Sequence, residues 1–501
     1  MDLKNINIDI TNVKTKIIYI ILTFITLFGV FYFGRNYNAS KHEYVIWVCL
    51  MGAMLFLLAL YYFVKIQFYK YVFIFFVLLG SITLFVQPIL NVPDEVAHFA
   101  RAELMSRGEV CISPDEEMHT TIQSIVDLGN DYSKTYLQSE VKGEEIDYTW
   151  TDIPHVAASN LPLMYIPQTM GIVLAKLLRL DVIWLLWLAR FFNMLFYSIC
   201  CSLAIKIAPK LQMLIFFVAA LPMSMQQAAS CSPDVMINGM AFLLVAMFLR
   251  LYCKKQESIS GKEESIFFAL SFISTLSKVT NIFLAGLILL VPCAKFKSKK
   301  RAYIIKISLV VSVTIVAGAY YLYTTTFVPN LEQAAYLQSI GADSAGQIHY
   351  ILGNFRDWFQ DFGAALIYQA SEYISSLNFY GWIEYSYPIL TPIMLVLFGK
   401  MCCQEQGLGL KMFDKFLIFL MVGGIYFSTC FALYLSWSPV GSASIGGVQG
   451  RYFIPLICLL FLLFSTEKND REVSKKVHLL DVTFIVGIAC AMISIMTVNY
   501  Y

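Results

Sequence analysis

The chain alternates between long apolar runs and shorter polar interruptions, and most runs approach 20 residues, the length that crosses a bilayer as an α-helix. The pattern predicts thirteen spans, at about 17–33, 44–64, 71–90, 182–205, 211–229, 234–252, 264–278, 280–294, 302–325, 388–401, 415–436, 452–465 and 480–499. One further apolar stretch, Leu161 to Leu178, carries Pro162, Pro167, Gln168 and Lys176 and ends at Arg179. Counting it as a span would move Lys206 and Lys210 across the membrane, so it reads as an amphipathic helix on the outer surface. Two long polar stretches, 91–160 and 326–387, stand between groups of spans. The expected fold is an all-α, polytopic transmembrane bundle with juxtamembrane helices and two outward loops.

Composition agrees, because 58% hydrophobic and 14% charged residues over 501 positions exclude a string of soluble domains. The formal net charge of +2 says little about partners, and no basic patch suggests nucleic acid. Charge placement says more. The cluster Lys295, Lys297, Lys299, Lys300, Arg301 belongs in the cytoplasm by the positive-inside rule, and Lys254, Lys255, Lys206, Lys210, Lys65, Lys70, Lys475 and Lys476 fit the same side. This puts the N-terminus inside, the C-terminus outside, and the first apolar run in the role of a retained signal anchor. Three regions follow: 1–70 with two spans, 71–465 as the main membrane unit, and 466–501 as a cytoplasmic linker and last span. Most of the twelve cysteines lie in apolar runs as small hydrophobes; Cys111 and Cys231 fall in outward segments.

Against this background the ionisable residues near the outer surface stand out. Asn91-Val92-Pro93-Asp94 has the form of a helix start, with Asp94 placed to return a capping hydrogen bond and with Asp94, His98 and Arg101 sharing a face. Capping alone leaves Glu95, His98 and Arg101 unexplained. A carboxylate here suits proton removal from an acceptor hydroxyl; Asp94 is the first candidate base, Glu95 the second, and His98 orients the carboxylate or touches a phosphate.

Gly446-Gly447-Val448-Gln449-Gly450-Arg451 is a glycine-rich loop entering a span, a pattern that suits an anion, with Gln449, Gly450 and the forked donors of Arg451 as contacts. Arg451 snorkelling to lipid headgroups is the plain alternative. Lys278 interrupts an apolar stretch at Ser277-Lys278-Val279-Thr280-Asn281, either as an anion contact or as a snorkelling turn residue. Arg190 and Asn193 lie one turn apart within a span, where structural pairing and ligand contact both fit. Asp234 follows Ser232-Pro233 at a helix start; it is an N-terminal carboxylate that, with Asp94, would make the oxygen ligands of a divalent cation, the one candidate cofactor. No nucleotide-binding loop, zinc motif or serine-hydrolase elbow occurs.

Taken in order, Pro93-Asp94-Glu95-x-x-His98-x-x-Arg101, Pro162-x-x-Tyr165, Arg190-x-x-Asn193, Ser232-Pro233-Asp234, Ser277-Lys278 and Gln449-Gly450-Arg451-Tyr452-Phe453-x-Pro455 resemble the bacterial membrane family catalogued as domain of unknown function 2142. The resemblance runs from about Gln87 to Pro455. That family is similar in layout to GT-C glycosyltransferases, which place a catalytic acid in the first large outer loop and use polyprenyl-phosphate sugars. The resemblance implies Asp94 or Glu95 as that acid, Lys278 and Arg451 as donor-phosphate contacts, and Glu384 of Gly381-Trp382-Ile383-Glu384 as a lesser candidate. Two spans precede Tyr71 where the usual layout has one.

The expectation is therefore a bacterial cell-membrane glycosyltransferase with an outward site. It would move sugar from a polyprenyl-phosphate carrier to a cell-wall, surface-polysaccharide or teichoic-acid-type acceptor. The alternatives are a flippase for a lipid-linked glycan and a non-catalytic scaffold of a glycan-assembly complex.

Overall fold

The computed structural model describes residues 11–34, 41–110, 119–153, 156–326, 336–377, 390–404, 408–464 and 475–501. Among these, eight helices are long and apolar enough to cross a membrane. They are α1 (Val13–Gly34), α2 (Lys41–Phe63), α3 (Phe68–Val86), α7 (Val182–Ile207), α10 (Asp234–Tyr252), α14 (Lys299–Thr326), α18 (Met412–Trp437) and α20 (Lys475–Tyr500). Apolar helices of fewer residues complete the bundle: α11 (Gly261–Ser277), α17 (Leu390–Gln404) and α19 (Ile454–Phe464).

Helix α10 is the axis of the fold. Nearly all its residues are buried, because α7, α11 and α19 pack around it. Helix α7 in turn carries α3 on one side and α6 (Ile166–Leu177) on another. Helices α1, α2 and α20 pack together as a further layer against α3, which gives the two N-terminal spans their place.

Two expected spans are broken. The run 211–229 forms α8 (Gln212–Ala219) and α9 (Pro222–Ala228). Pro222 has no amide to continue the ladder and its ring crowds the preceding turn, so it starts a new helix at its first position. The run 280–294 is a 3-10 turn (Val279–Asn281) and two single-turn helices, α12 (Ile282–Ala285) and α13 (Leu287–Leu290), divided at Gly286 and stopped by Pro292. Its polar start explains the break: the Lys278 backbone carbonyl accepts from Asn281 N–H in place of a continuing helix.

The stretch expected on the membrane surface is a 3-10 turn, Pro162–Tyr165, followed by α6. Twelve residues rise about 18 Å, too little to span. Gly171 lets α6 lie directly on the α7 backbone at Leu188 and Ala189, while Ile166, Met170 and Leu177 remain exposed.

The first long polar stretch is partly folded. It holds α4 (Glu95–Ser106), α5 (Gln123–Asn130) and a small antiparallel pair, β1 (His119–Ile122) with β2 (Trp150–Ile153), His119 opposite Ile153. The pair is a local addition to an all-α expectation. The second stretch contains α15 (Ser344–Gly353) and α16 (Phe355–Ser376).

The ends of α10 differ in character. At Arg250 an ion-pair network gathers Glu263, which accepts from Arg250 and Lys254 and closes a capping box with Ser260, and Glu264, which pairs with Arg301. Burial alone would raise the Glu263 carboxyl; the Lys254, Ser260 and Arg250 hydrogen bonds outweigh it and bring the pKa down to about 2. A depressed carboxyl contributes stability above its unfolded value, near 4.5, and loses it as pH falls toward 2. In detergent, Glu263→Gln should melt below the wild type at pH 7, and the gap should close as the pH is lowered from about 4.5; melting curves across that range check it.

Candidate functional site

At the opposite end of α10, about 28 Å away for 19 residues, the polar residues of several turns converge. The first group holds the turn between α3 and α4. Arg190 on α7 donates from Nε and Nη2 to Glu95 at 2.8 and 2.7 Å, from Nη1 to the Leu84 and Gln87 carbonyls, and from Nη2 to the Pro88 carbonyl at 2.8 Å. Five donors meet five acceptors, so no N–H of Arg190 is left for a ligand. Glu95 accepts further from Cys231 N–H at 3.0 Å and Val92 N–H at 3.4 Å, and both side chains of the pair are fully buried. The geometry gives Glu95 and Arg190 a closed pairing, where the sequence offered Glu95 as the second candidate base and Arg190 as either a structural pair or a donor-phosphate contact.

That lock sets the next residue. The helix begins at Glu95, not at Asn91, and Asp94 precedes it with φ of 64°, a left-handed conformation that Asp tolerates better than most side chains. Its carboxylate makes no capping bond. It pairs instead with Arg451, Oδ2 to Nη2 at 2.5 Å, and stays 53% exposed.

Arg451 reaches Asp94 from the 3-10 turn Gly450–Phe453 that opens α19. Gly450 lies against the Tyr373 carbonyl and the Ser376 hydroxyl of α16, where any Cβ would overlap. Gln449 is half-buried and receives the Tyr452 N–H on its backbone carbonyl, closing the turn. Arg451 is 3% exposed; its Nη1 lies 3.3 Å from Asp234 Oδ2 and donates to the Pro93 carbonyl at 3.3 Å and Gln227 Oε1 at 3.4 Å. The guanidinium therefore occupies the position between Asp94 and Asp234 that a shared cation would need. Among the described residues no group of three or more His, Cys, Asp or Glu is arranged to hold a metal.

Asp234 does not cap its helix with its side chain; its N–H donates to Ser232 Oγ. The preceding loop is held by two amides. Asn193 donates to the Ser230 and Ser232 carbonyls at 2.6 and 2.9 Å, and Gln168 on α6 donates to the Cys231 and Ser232 carbonyls. Asn193 is thus a support of Asp234.

Lys278 completes the group. Its Nζ stands 4.0 Å from the centre of the Tyr452 ring, and the Arg451 guanidinium carbon lies 5.4 Å from the same ring. Among the described residues no protein acceptor hydrogen-bonds the Lys278 ammonium. Arg451 is neutralised by two carboxylates; Lys278 is the cation with capacity to spare.

His98 meets the Tyr165 hydroxyl through Nδ1 at 2.8 Å, and Tyr165 accepts from Asn160 Nδ2 at 2.9 Å. Burial pushes the Tyr165 phenol well above its usual range, so it stays protonated and has a proton to offer His98. Arg101 donates to the Glu109 and Val110 carbonyls and ties the end of α4 to the following chain. Glu384 and Cys111 lie outside the described residues, and Cys231 is buried.

Sequence reasoning missed Gln168, Gln227 and Asn160 as supports and Tyr452 as the surface shared by two cations. A polar amide inside an otherwise apolar run was the available signal for Gln168 and Gln227. Asn91 and Tyr500 form a further unforeseen clamp: Asn91 Nδ2 donates to Tyr500 at 2.6 Å, fastening the last helix to the Asp94 turn.

The fold and site define a polytopic membrane protein with a cluster of Asp94, Asp234, Lys278 and Arg451 at the end of its bundle opposite the Arg250 network. The chain belongs to the family described as "Predicted membrane protein (DUF2142)", whose model matches residues 75–460. The match takes in every residue of the cluster and leaves α1, α2 and α20 outside it. No curated protein and no solved structure matches the chain.

The closed pair and the half-exposed acid should respond differently to substitution. Glu95→Gln and Arg190→Met should each cost about 3–5 kcal/mol of stability by stranding a buried charge, whereas Asp94→Asn should cost less than about 1 kcal/mol. Unfolding curves of the purified variants in detergent measure both.

Proposed function

We propose that this protein is a membrane glycosyltransferase that takes a sugar from a polyprenyl-phosphate donor and passes it to a glycan or teichoic-acid-type acceptor on the outer face of a bacterial membrane. The observation that carries the reading is a half-exposed carboxylate, Asp94, gripped by Arg451 beside a lysine, Lys278, whose ammonium makes no ion pair among the described residues. Basic residues at the Arg250 end of α10 support an outward site by the positive-inside rule.

In this mechanism Lys278 receives the donor phosphate. Asp94 takes the proton from the acceptor hydroxyl as its oxygen bonds to the anomeric carbon. The bond from that carbon to the phosphate oxygen breaks, and polyprenyl phosphate leaves with the electron pair, its charge neutralised by Lys278. Arg451 positions Asp94, Asp234 balances Arg451, and Glu95 with Arg190 fixes the turn that presents the base. The His98–Tyr165–Asn160 chain supports the same helix.

The flippase reading fits less well. Between Asp234 and Arg250 helix α10 carries no charged residue, and that stretch is packed with buried apolar side chains. The charges therefore sit at the ends of α10, and no charged residue of that helix continues them along its length.

Asp94→Asn should lower transfer from polyprenyl-phosphate hexoses by about 10²–10⁴-fold in membranes containing the protein. Lys278→Met should chiefly raise the donor concentration needed for half-maximal rate. Radiolabelled sugar transfer measured against donor concentration separates these effects, and full activity in Asp94→Asn would remove Asp94 from the mechanism.

A further inference from the structure

A set of neutral polar groups lies one turn from the ionic cluster along α10 and α11, and among the described residues none of them has a hydrogen-bond partner for the atoms named below. On α10, Asn238 follows Asp234 by four residues and so shares its face; it is 1% exposed, and both its amide oxygen and its amide nitrogen lack a hydrogen bond. On α11, which packs along α10, Ser274 and Thr275 precede Lys278 by four and three residues and are fully buried with unpartnered hydroxyls. Ser271 and Ser277 of the same helix behave differently: each returns its hydroxyl to the carbonyl four residues back.

Two more groups close the set. Asn281, whose N–H bonds to the Lys278 carbonyl, has an unpartnered Nδ2 and is 1% exposed. Thr429 of α18, also buried and unpartnered, precedes Cys430, which lies within electrostatic reach of Lys278. The same reach from Lys278 includes Asp234 and Arg451.

Each buried unpaired donor or acceptor costs about 1–3 kcal/mol, so five on the packed elements α10, α11, the 279–281 turn and α18 call for a polar occupant. Their chemistry defines it. All are uncharged, the amides offer donor and acceptor side by side, and the hydroxyls serve as either. None of the five groups carries a charge to hold an anion, and a hydrocarbon chain would leave every group unpaired. A ring of hydroxyl groups satisfies them.

We propose that Asn238, Ser274, Thr275, Asn281 and Thr429 form the subsite for the sugar of the donor, a neutral hexose or N-acetylhexosamine whose phosphate rests on Lys278. This rests on the reading of Lys278 as the phosphate contact. It assigns sugar recognition to the α10–α11 seam, and it makes the selectivity of the protein a matter of amides and hydroxyls rather than of charged groups.

The test uses the full chain in lipid nanodiscs, with farnesyl phosphate and farnesyl-phosphoryl glucose, galactose, mannose and N-acetylglucosamine as probes. The expected result is that at least one sugar-bearing probe binds tenfold or more tightly than farnesyl phosphate. Asn238→Leu and the isosteric Thr275→Val should each erase most of that gain while farnesyl phosphate binds as before, and Lys278→Met should weaken all probes alike. If farnesyl phosphate binding depends on Lys278 but no sugar adds affinity, or the gain survives both seam variants, the subsite is wrong and the phosphate reading stands. If no probe binds in a Lys278-dependent way, the phosphate reading falls and the subsite with it. Should a seam variant misfold, the other supplies the comparison, and a melting temperature at or above wild type certifies its fold.

Discussion

The five hydrogen bonds of Arg190 fix the end of α3, the turn after it and the start of α4, where Asp94 is presented. One guanidinium takes both oxygens of Glu95 and three carbonyls of the α3–α4 turn, and Glu95 hands its remaining valence to Cys231 and Val92. Helices α3, α4, α7 and the start of α10 are thereby tied at one point. A charge pair this deep is costly to desolvate, and losing one partner strands the other at a cost of about 3–5 kcal/mol, so the turn is favoured only in positions where the pair can form. The left-handed Asp94, next in chain to Glu95, is held in place by that constraint.

From this anchor the site builds outward with its charges nearly balanced. Arg451 sits between the carboxylates of Asp94 and Asp234, and Lys278 shares the Tyr452 ring with it. The unequal exposure of the two acids matters: Asp234 is enclosed, whereas Asp94 is half open to whatever approaches. Under the proposed mechanism this asymmetry distinguishes a base from a counter-ion, and the spare valence of Lys278 distinguishes a ligand contact from a structural cation.

Much of this was legible in the chain. Apolar run length located the spanning helices, and the placement of lysines identified which charged loops share an end. The exceptional positions of Asp94, Lys278 and Arg451 were visible because ionisable residues are rare beside such runs. What the sequence did not carry was partnership across distance. Glu95 and Asp94 are adjacent acids in one motif, yet one is sealed against Arg190, 95 positions away, and the other is half open beside Arg451, 357 positions away. Runs of apolar residues likewise concealed the breaks at Pro222 and Gly286, because hydropathy does not register where a backbone ladder is interrupted. The unpaired groups of Asn238 and Thr275 were silent in sequence, since either residue is unremarkable inside a helix until its neighbours fail to answer it.

The most direct test of the central claim is a cryo-electron-microscopy structure of the protein in nanodiscs with a polyprenyl phosphate bound. The account predicts phosphate density within hydrogen-bonding distance of Lys278 Nζ, beside the Asp94–Arg451 pair and above Asn238. Ordered phosphate at another surface, with Lys278 left bare, would contradict it.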